Sequence, residues 1–225
     1  MNAPFAPVRA ATSHNVDDTL AIGGAIARCA CAGDVIALDG MLGAGKTQLV
    51  RGMAEGLGVA DGQVSSPTFV MVHEYDTPGD QPVIVHVDAY RITGAADAMS
   101  IGLDGAPGSE GFADNAIVVI EWAQRLSAET LGEDVLHVKI DHVDERTRRL
   151  TLTPAGSWLA RAEELFLAIE RATILTQCPT CRAPVSASAD TFPFCSARCR
   201  TIDLGKWVDG RYRISRPIDA ADLDD

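Results

Sequence analysis

The octapeptide Gly40-Met41-Leu42-Gly43-Ala44-Gly45-Lys46-Thr47 constrains this chain more than any other feature. Val35-Ile36-Ala37-Leu38 before it is a short apolar run of the kind buried in a parallel sheet, and Lys46 to Leu57 after it reads as a helix ending before Gly58. Strand, Gly-x-x-x-x-Gly-Lys-Thr and helix together form a phosphate-binding loop. Its glycines let successive backbone N–H groups turn inward around phosphate oxygens, and the helix N-terminus adds its positive dipole end. Gly43, Ala44 and Gly45 therefore line a nucleotide-phosphate cradle. Lys46, expected as a surface-facing residue, reaches the β- and γ-phosphates, and the Thr47 hydroxyl is a ligand for Mg²⁺.

A nucleotide site also needs carboxylates, because Mg²⁺ takes hard oxygen ligands. Val83-Ile84-Val85-His86-Val87-Asp88 and Ile117-Val118-Val119-Ile120-Glu121 are further buried-strand runs, each ending in an acid. Ligands collect at the carboxyl ends of strands in open α/β sheets, so Asp88 and Glu121 are both candidates for the metal. Either could instead cap the element that follows. His86 alternates within its strand and reads as a packed residue. Asn-Lys-x-Asp and Leu-Ser-Gly-Gly-Gln do not occur, which sets aside guanine-specific switches and transporter ATPases. A compact ATPase or a small-molecule kinase remains.

The rest of the first two-thirds follows this pattern. Val16 to Ala32 reads as a helix with Asp17 and Asp18 in its first turn, and Cys29 and Cys31 as core residues on different faces of it. Phe69 to Tyr75 reads as a strand. Val135 to Ile140 and Arg149 to Thr153 alternate and suit edge strands. Ser157 would cap a helix from Trp158 to Ala172 that joins two domains. The expected division is a three-layer α/β P-loop NTPase domain over 12–155, a joining helix over 156–173, a small module over 174–217 and an acidic tail over 218–225.

That small module carries Cys178-Pro179-Thr180-Cys181 and Cys195-Ser196-Ala197-Arg198-Cys199. Two such knuckles present four thiolates to one ion, the pattern of a closed tetrahedral zinc site. With few large apolar residues nearby, metal binding would supply much of the folding energy. A redox role for the first pair is the rival reading, but it would not need the second pair. Charge marks the same division. The net charge is -12, yet the segment from Ala172 to Pro217 is basic, with Arg182, Arg198, Arg200, Lys206, Arg211, Arg213 and Arg216 against Asp190, Asp203 and Asp209. The acidic remainder argues against broad nucleic-acid binding by the first domain. The first ten residues lack the apolar block of a secretory signal, and no apolar run approaches the ~20 residues of a membrane span. A cytoplasmic protein without membrane partners is expected.

Gly43-Ala44-Gly45-Lys46-Thr47 with Arg51-Gly52, Ser66-Pro67-Thr68-Phe69, His86-Val87-Asp88-Ala89-Tyr90-Arg91 and Glu121-Trp122 resemble, in this order, the TsaE family of bacterial tRNA threonylcarbamoyladenosine biosynthesis ATPases. The resemblance spans Thr12 to Thr153. It implies ATP and Mg²⁺ as cofactors, and a pair of synthase proteins as partners in modifying the adenosine next to the anticodon. It also implies that Thr47 and Glu121 hold Mg²⁺, that Asp88 is the Walker-B-like acid, that Ser66-Pro67-Thr68 is a nucleotide-sensing switch and that Thr19 lies near the nucleotide. Met41 departs from the family's usual aspartate, and Gly94 to Gly111 lacks its acidic stretch.

Ile202-Asp203-Leu204-Gly205-Lys206-Trp207 and Gly210-Arg211-Tyr212-Arg213-Ile214, after the four cysteines, resemble the YacG family of zinc-binding DNA gyrase inhibitors. This resemblance implies one Zn²⁺ per chain and binding to the gyrase B subunit, with no strong direct contact to DNA. Arg182 stands where the first knuckle usually has glycine. A docking tail or a nucleic-acid-binding tail is the alternative reading of this module.

Overall fold

The computed structural model describes residues 7–60, 62–67, 71–103, 115–173, 175–186 and 191–208, divided between two compact units, Met1–Ile174 and Leu175–Asp225. Thr68, Phe69, Tyr212 and the acidic tail lie outside the described residues. In the first unit the chain runs β1 (Arg9–Ser13), α1 (Val16–Cys29), β2 (Val35–Gly40), α2 (Lys46–Gly56), β3 (Val72–Tyr75), β4 (Val83–Asp88), α3 (Ala95–Ser100), β5 (Ala116–Glu121), α4 (Ala128–Leu131), β6 (Val135–His142), β7 (Arg148–Pro154) and α5 (Ala162–Ala172). The seven strands form one sheet in the order β1-β7-β6-β2-β5-β4-β3. β6, β2, β5 and β4 run parallel, and β7, β1 and β3 are antiparallel to their neighbours.

The three central strands β2, β5 and β4 are the continuous apolar runs, because both of their faces are covered. On one face Ile36, Leu38, Ile117 and Val119 meet Ile22, Ile26, Leu49, Met53 and Leu165 from α1, α2 and α5. On the other, Val35, Ala37, Val85, Val87 and Ile120 meet Ala98, Leu103 and Leu131. This is the expected three-layer α/β domain.

Two strands were expected at edges and are interior. β6 lies between β2 and β7, and β7 lies between β6 and β1. The alternation that argued for an edge reflects partial coverage: Lys139 of β6 is exposed, Asp141 is half-buried, and the two are paired at 3.0 Å. The true edge on that side is β1, which its small, polar sequence Arg-Ala-Ala-Thr-Ser conceals.

Helix α1 stops at Cys29 rather than Ala32. Ala30 is extended, Gly33 has φ +88°, and the Asp34 carboxylate accepts from the Cys31 amide at 2.6 Å. Cys29 is therefore a buried helix residue, while Cys31 is exposed and off the helix, contrary to expectation. Ser157 is not a helix cap. Its amide donates to Asp134 Oδ1 inside a 3₁₀ turn, Gly156–Arg161, and the α-helix begins at Ala162. Trp158 in that turn is fully buried, and α5 packs on α1 within the first unit.

The crossing of α1 and α2 is unusually close and is made by glycines. A Cβ at Gly52 would run into the backbone of Leu20, one at Gly56 into Gly24, and one at Gly23 into the carbonyl of Leu49. The second unit is small: β8 (Leu175–Gln177) and β9 (Pro184–Ser186) pair as an antiparallel hairpin, and α6 (Ala197–Val208) follows. Among its described residues the core consists of Cys178, Val185 and Cys199 with Phe194 against them. Among the described residues, no helix is long and apolar enough to cross a membrane.

Candidate functional site

The turn from β2 to α2 is built on glycines that no other residue could replace cheaply. Gly43 and Gly45 have φ +74° and +106°, in the left-handed region. At Gly40 a Cβ would meet the Ile140 carbonyl and the Ala44 side chain. The loop is braced from β7, where Arg148 Nε donates to the Ala44 carbonyl at 3.1 Å. Helix α2 then starts at Lys46 with Gly45 as its cap and no side chain satisfying its first amides, which suits an anion.

Lys46 does not face the surface. It is only 4% exposed, and its Nζ donates to the carbonyls of Gly40 at 2.8 Å and Met41 at 3.2 Å. The same ammonium lies 3.8 Å from the centre of the Trp122 ring. Burial lowers its pKa from the ordinary lysine value, partly offset by Glu121, Asp88 and Asp39.

Glu121 and Asp88 end neighbouring parallel strands in register, so their carboxylates reach the same end of the sheet. Both are buried and line a cavity of about 340 Å³, shared with Gly43, Gly45, Lys46, Thr47, Ser66 and Trp122. Thr47 Oγ1 donates to Glu121 Oε1 at 2.7 Å. Asp88 Oδ1 accepts the Tyr90 amide at 2.9 Å and so caps the 3₁₀ turn Ala89–Arg91. The capping role foreseen as the bland alternative for Asp88 therefore exists, and the residue still lines the cavity. Hydroxyl and two carboxylates at one end of the cavity, beside a helix N-terminus, form a donor set that fits Mg²⁺ with a nucleotide phosphate.

Thr19 sits against the loop without lining the cavity. Its methyl faces Gly45, while its hydroxyl is 2.7 Å from Ser13 Oγ and 3.3 Å from the Asn15 carbonyl. Ser66 lines the cavity and Thr68 is outside the described residues. The segment before them is tied on two sides. Arg51 Nη2 donates to the Val64 carbonyl at 3.2 Å, and the Tyr75 hydroxyl donates to the Ser65 carbonyl at 3.1 Å.

Sequence reasoning assigned no role in this site to three of its residues. Trp122 holds φ +60° and spreads its ring between Lys46 and Tyr90. Arg148 braces the loop from a strand far along the chain. His86, read as packing, places Nε2 2.9 Å from Glu121 Oε1. A signal for His86 was present: it stands two before Asp88 on one strand, and period two puts both on one face.

In the second unit, the first knuckle occupies the β8–β9 hairpin loop and the second opens α6. The Sγ atoms of Cys178, Cys181, Cys195 and Cys199 all lie within 4.8 Å of one another, with 3.3 Å between Cys181 and Cys195 and 3.6 Å between Cys195 and Cys199. Zinc–sulfur bonds of ≈ 2.3 Å in a tetrahedron require sulfurs about 3.8 Å apart, so the cluster fits that ion. Burial raises the Cys178 thiol, but backbone donors at Cys195, Cys181 and Thr180 outweigh it and bring it to about 6. Cys195 is pushed up to about 12 by its hydrogen bonds to Cys181 and Cys199. Arg182 holds φ +64° in the first knuckle, the conformation that favours glycine.

Residues 13–150 match the family model described as threonylcarbamoyl adenosine biosynthesis protein TsaE. The chain belongs to the TsaE family. A TsaE relative from Streptomyces coelicolor, named as a tRNA threonylcarbamoyladenosine biosynthesis protein, is 40% identical over 65% of this chain and 97% of its own length. The TsaE protein of Bacillus subtilis is 37% identical over 64% of this chain and 84% of its own. The crystal structure of Bacillus subtilis YdiB superposes with a TM-score of 0.53 and 28% identity, covering 75% of this chain and 98% of that one. Residues 176–225, beyond the TsaE match, fit the model described as DNA gyrase inhibitor YacG. A TsaE domain and a YacG-like segment thus stand in one chain.

Proposed function

We propose that this chain is a Mg²⁺-dependent ATPase that supports threonylcarbamoyladenosine formation in tRNA, with a C-terminal zinc module that binds the gyrase B subunit and inhibits gyrase. The observation that carries the ATPase reading is the contact of Thr47 with Glu121 at the mouth of the phosphate loop, inside a cavity that Lys46 and Asp88 also line. Lys46 neutralises the β- and γ-phosphates, and the amides of Gly43, Ala44 and Gly45 cradle them. Thr47 and Glu121 hold the magnesium ion, and Asp88 acts as the second acid. Thr19 supports the loop from α1, and Ser66-Pro67-Thr68 senses the nucleotide. Magnesium, when bound, offsets the charge developing on the phosphates. The domains follow the division 12–155, 156–173, 174–217 and 218–225, and both proposed partners place the chain in the cytoplasm.

The partners are the synthase proteins of the same modification. In the reconstituted complex, wild type hydrolyses ATP and Lys46→Ala does not; equal rates would sink the assignment.

For the zinc module, Phe192, Ile202 and Leu204 are exposed around α6, which favours a protein partner. Arg198 and Arg200 are exposed on the same helix and favour the second reading, a nucleic-acid-binding tail. A supercoiling assay with the full chain, run beside a DNA mobility-shift control, separates the two. Inhibition without a shift supports gyrase B, and a salt-sensitive shift without inhibition supports nucleic acid.

A further inference from the structure

His86 belongs to β4, where Ile84, Val85 and Val87 around it are buried aliphatic residues and Asp88 ends the strand. It is fully buried, and its cross-strand neighbours are His73 of β3 and Val119 of β5, the latter two residues before Glu121. Pure packing at such a position is served by an aliphatic side chain. The imidazole instead sends Nε2 to Glu121 Oε1 at 2.9 Å, while its Nδ1 has no hydrogen-bond partner among the described residues. With the Glu121 oxygen as acceptor, Nε2 carries the hydrogen.

Thr47 Oγ1 donates to the same oxygen from the first turn of α2 at 2.7 Å. Two donors from two elements, β4 and α2, therefore fix one oxygen of a side chain that otherwise turns about three torsions. Tyr75 flanks the imidazole, with ring centres 6.2 Å apart, and holds the Ser65 carbonyl through its hydroxyl.

We propose that His86 is a positioning residue for the magnesium end of the site: it holds the Glu121 carboxylate at Thr47 and thereby sets the affinity for the metal-bound nucleotide, not for the nucleotide itself. The inference rests on the nucleotide site of the proposed function. Groups that orient a metal-binding carboxylate act on metal affinity, while the amides of the phosphate loop are indifferent to them.

Titration calorimetry with a non-hydrolysable ATP analogue, in Mg²⁺ and in EDTA, tests this on the full chain. His86→Asn shortens the side chain so that its amide cannot reach Glu121, and His86→Gln restores the reach. In EDTA both variants should bind within about twofold of wild type, whereas the gain in affinity on adding Mg²⁺ should fall about tenfold or more in His86→Asn and largely return in His86→Gln. A full magnesium gain in His86→Asn overturns the proposal. So does an equal loss with and without Mg²⁺, or loss of cooperative melting in both variants, because each makes the imidazole a structural residue. Wild type that binds no nucleotide in either buffer removes the proposed function itself, a result distinct from normal wild-type binding with unaffected variants.

Discussion

Lys46 illustrates how much the environment of one residue decides. It is buried, bonded to two carbonyls and covered by Trp122, so in the proposed site a phosphate would compete for its ammonium with partners already in place. Lys46→Ala in the reconstituted complex should lower turnover by about 100-fold or more, since a preorganised charge at the transferring group is lost. The lysine also leaves a mark on stability. Its folded-state pKa is lowered, chiefly by burial, so the unfolded chain binds its proton more tightly. Its contribution to stability therefore rises as pH climbs from the lowered value toward the ordinary 10.5. Against Lys46→Met, which lacks this slope, nucleotide-free wild type should gain melting temperature between pH 7 and alkaline buffer. A constant difference across that range would contradict the sign. The lysine's identity was plain in the octapeptide, but its burial was not, because Trp122 comes from a distant strand end.

Among elements, the α1–α2 crossing carries the consequence most open to test. Gly52 sits where its Cβ would strike the Leu20 backbone, which cannot swing aside as a side chain can. Gly52→Ala should destabilise the first unit by about 1–3 kcal/mol through overpacking. Urea denaturation followed by a signal from that unit would read this as a lower midpoint at unchanged slope. The strands illustrate what the sequence conveys. β2, β4 and β5 are legible because a strand covered on both faces must be apolar throughout. β1 is illegible because five small and polar residues become a strand only when β7 offers its edge. The site divides the same way. Loop residues and strand-end acids follow local rules, while the Thr47–Glu121 and His86–Glu121 contacts depend on which strands the sheet places side by side.

At the scale of the molecule, two units obey different stability rules. The first has a sizeable apolar core on each face of its sheet, and the second, among the described residues, has little beyond Val185, Phe194 and the cysteines. One zinc ion per chain should therefore decide whether the second unit folds, and elemental analysis of reduced protein should find it. Protons compete with zinc for thiolates, so falling pH should release the ion and melt the second unit first. Cys195→Ser should do the same at neutral pH, with the melting transition of the first unit unchanged. Within the first knuckle, Arg182→Gly relieves a left-handed residue of its Cβ and should stabilise the zinc-bound unit by roughly 1 kcal/mol. Chelator challenge, followed as the rate of zinc loss, checks this.

The pairing of β1 with β7 has a consequence for how the chain is made. Arg9 meets Leu152 across that ladder, so β1 leaves the ribosome long before β7, the strand it pairs with. At about 5–20 residues per second, β1 waits on the order of ten seconds before its partner exists. Until then Ser13 cannot take its place in the finished sheet, and Thr19, bonded to it beside the phosphate loop, lacks its final support. The loop between β2 and α2 therefore gains its full support from α1 late, after nearly all of the sheet has been synthesised.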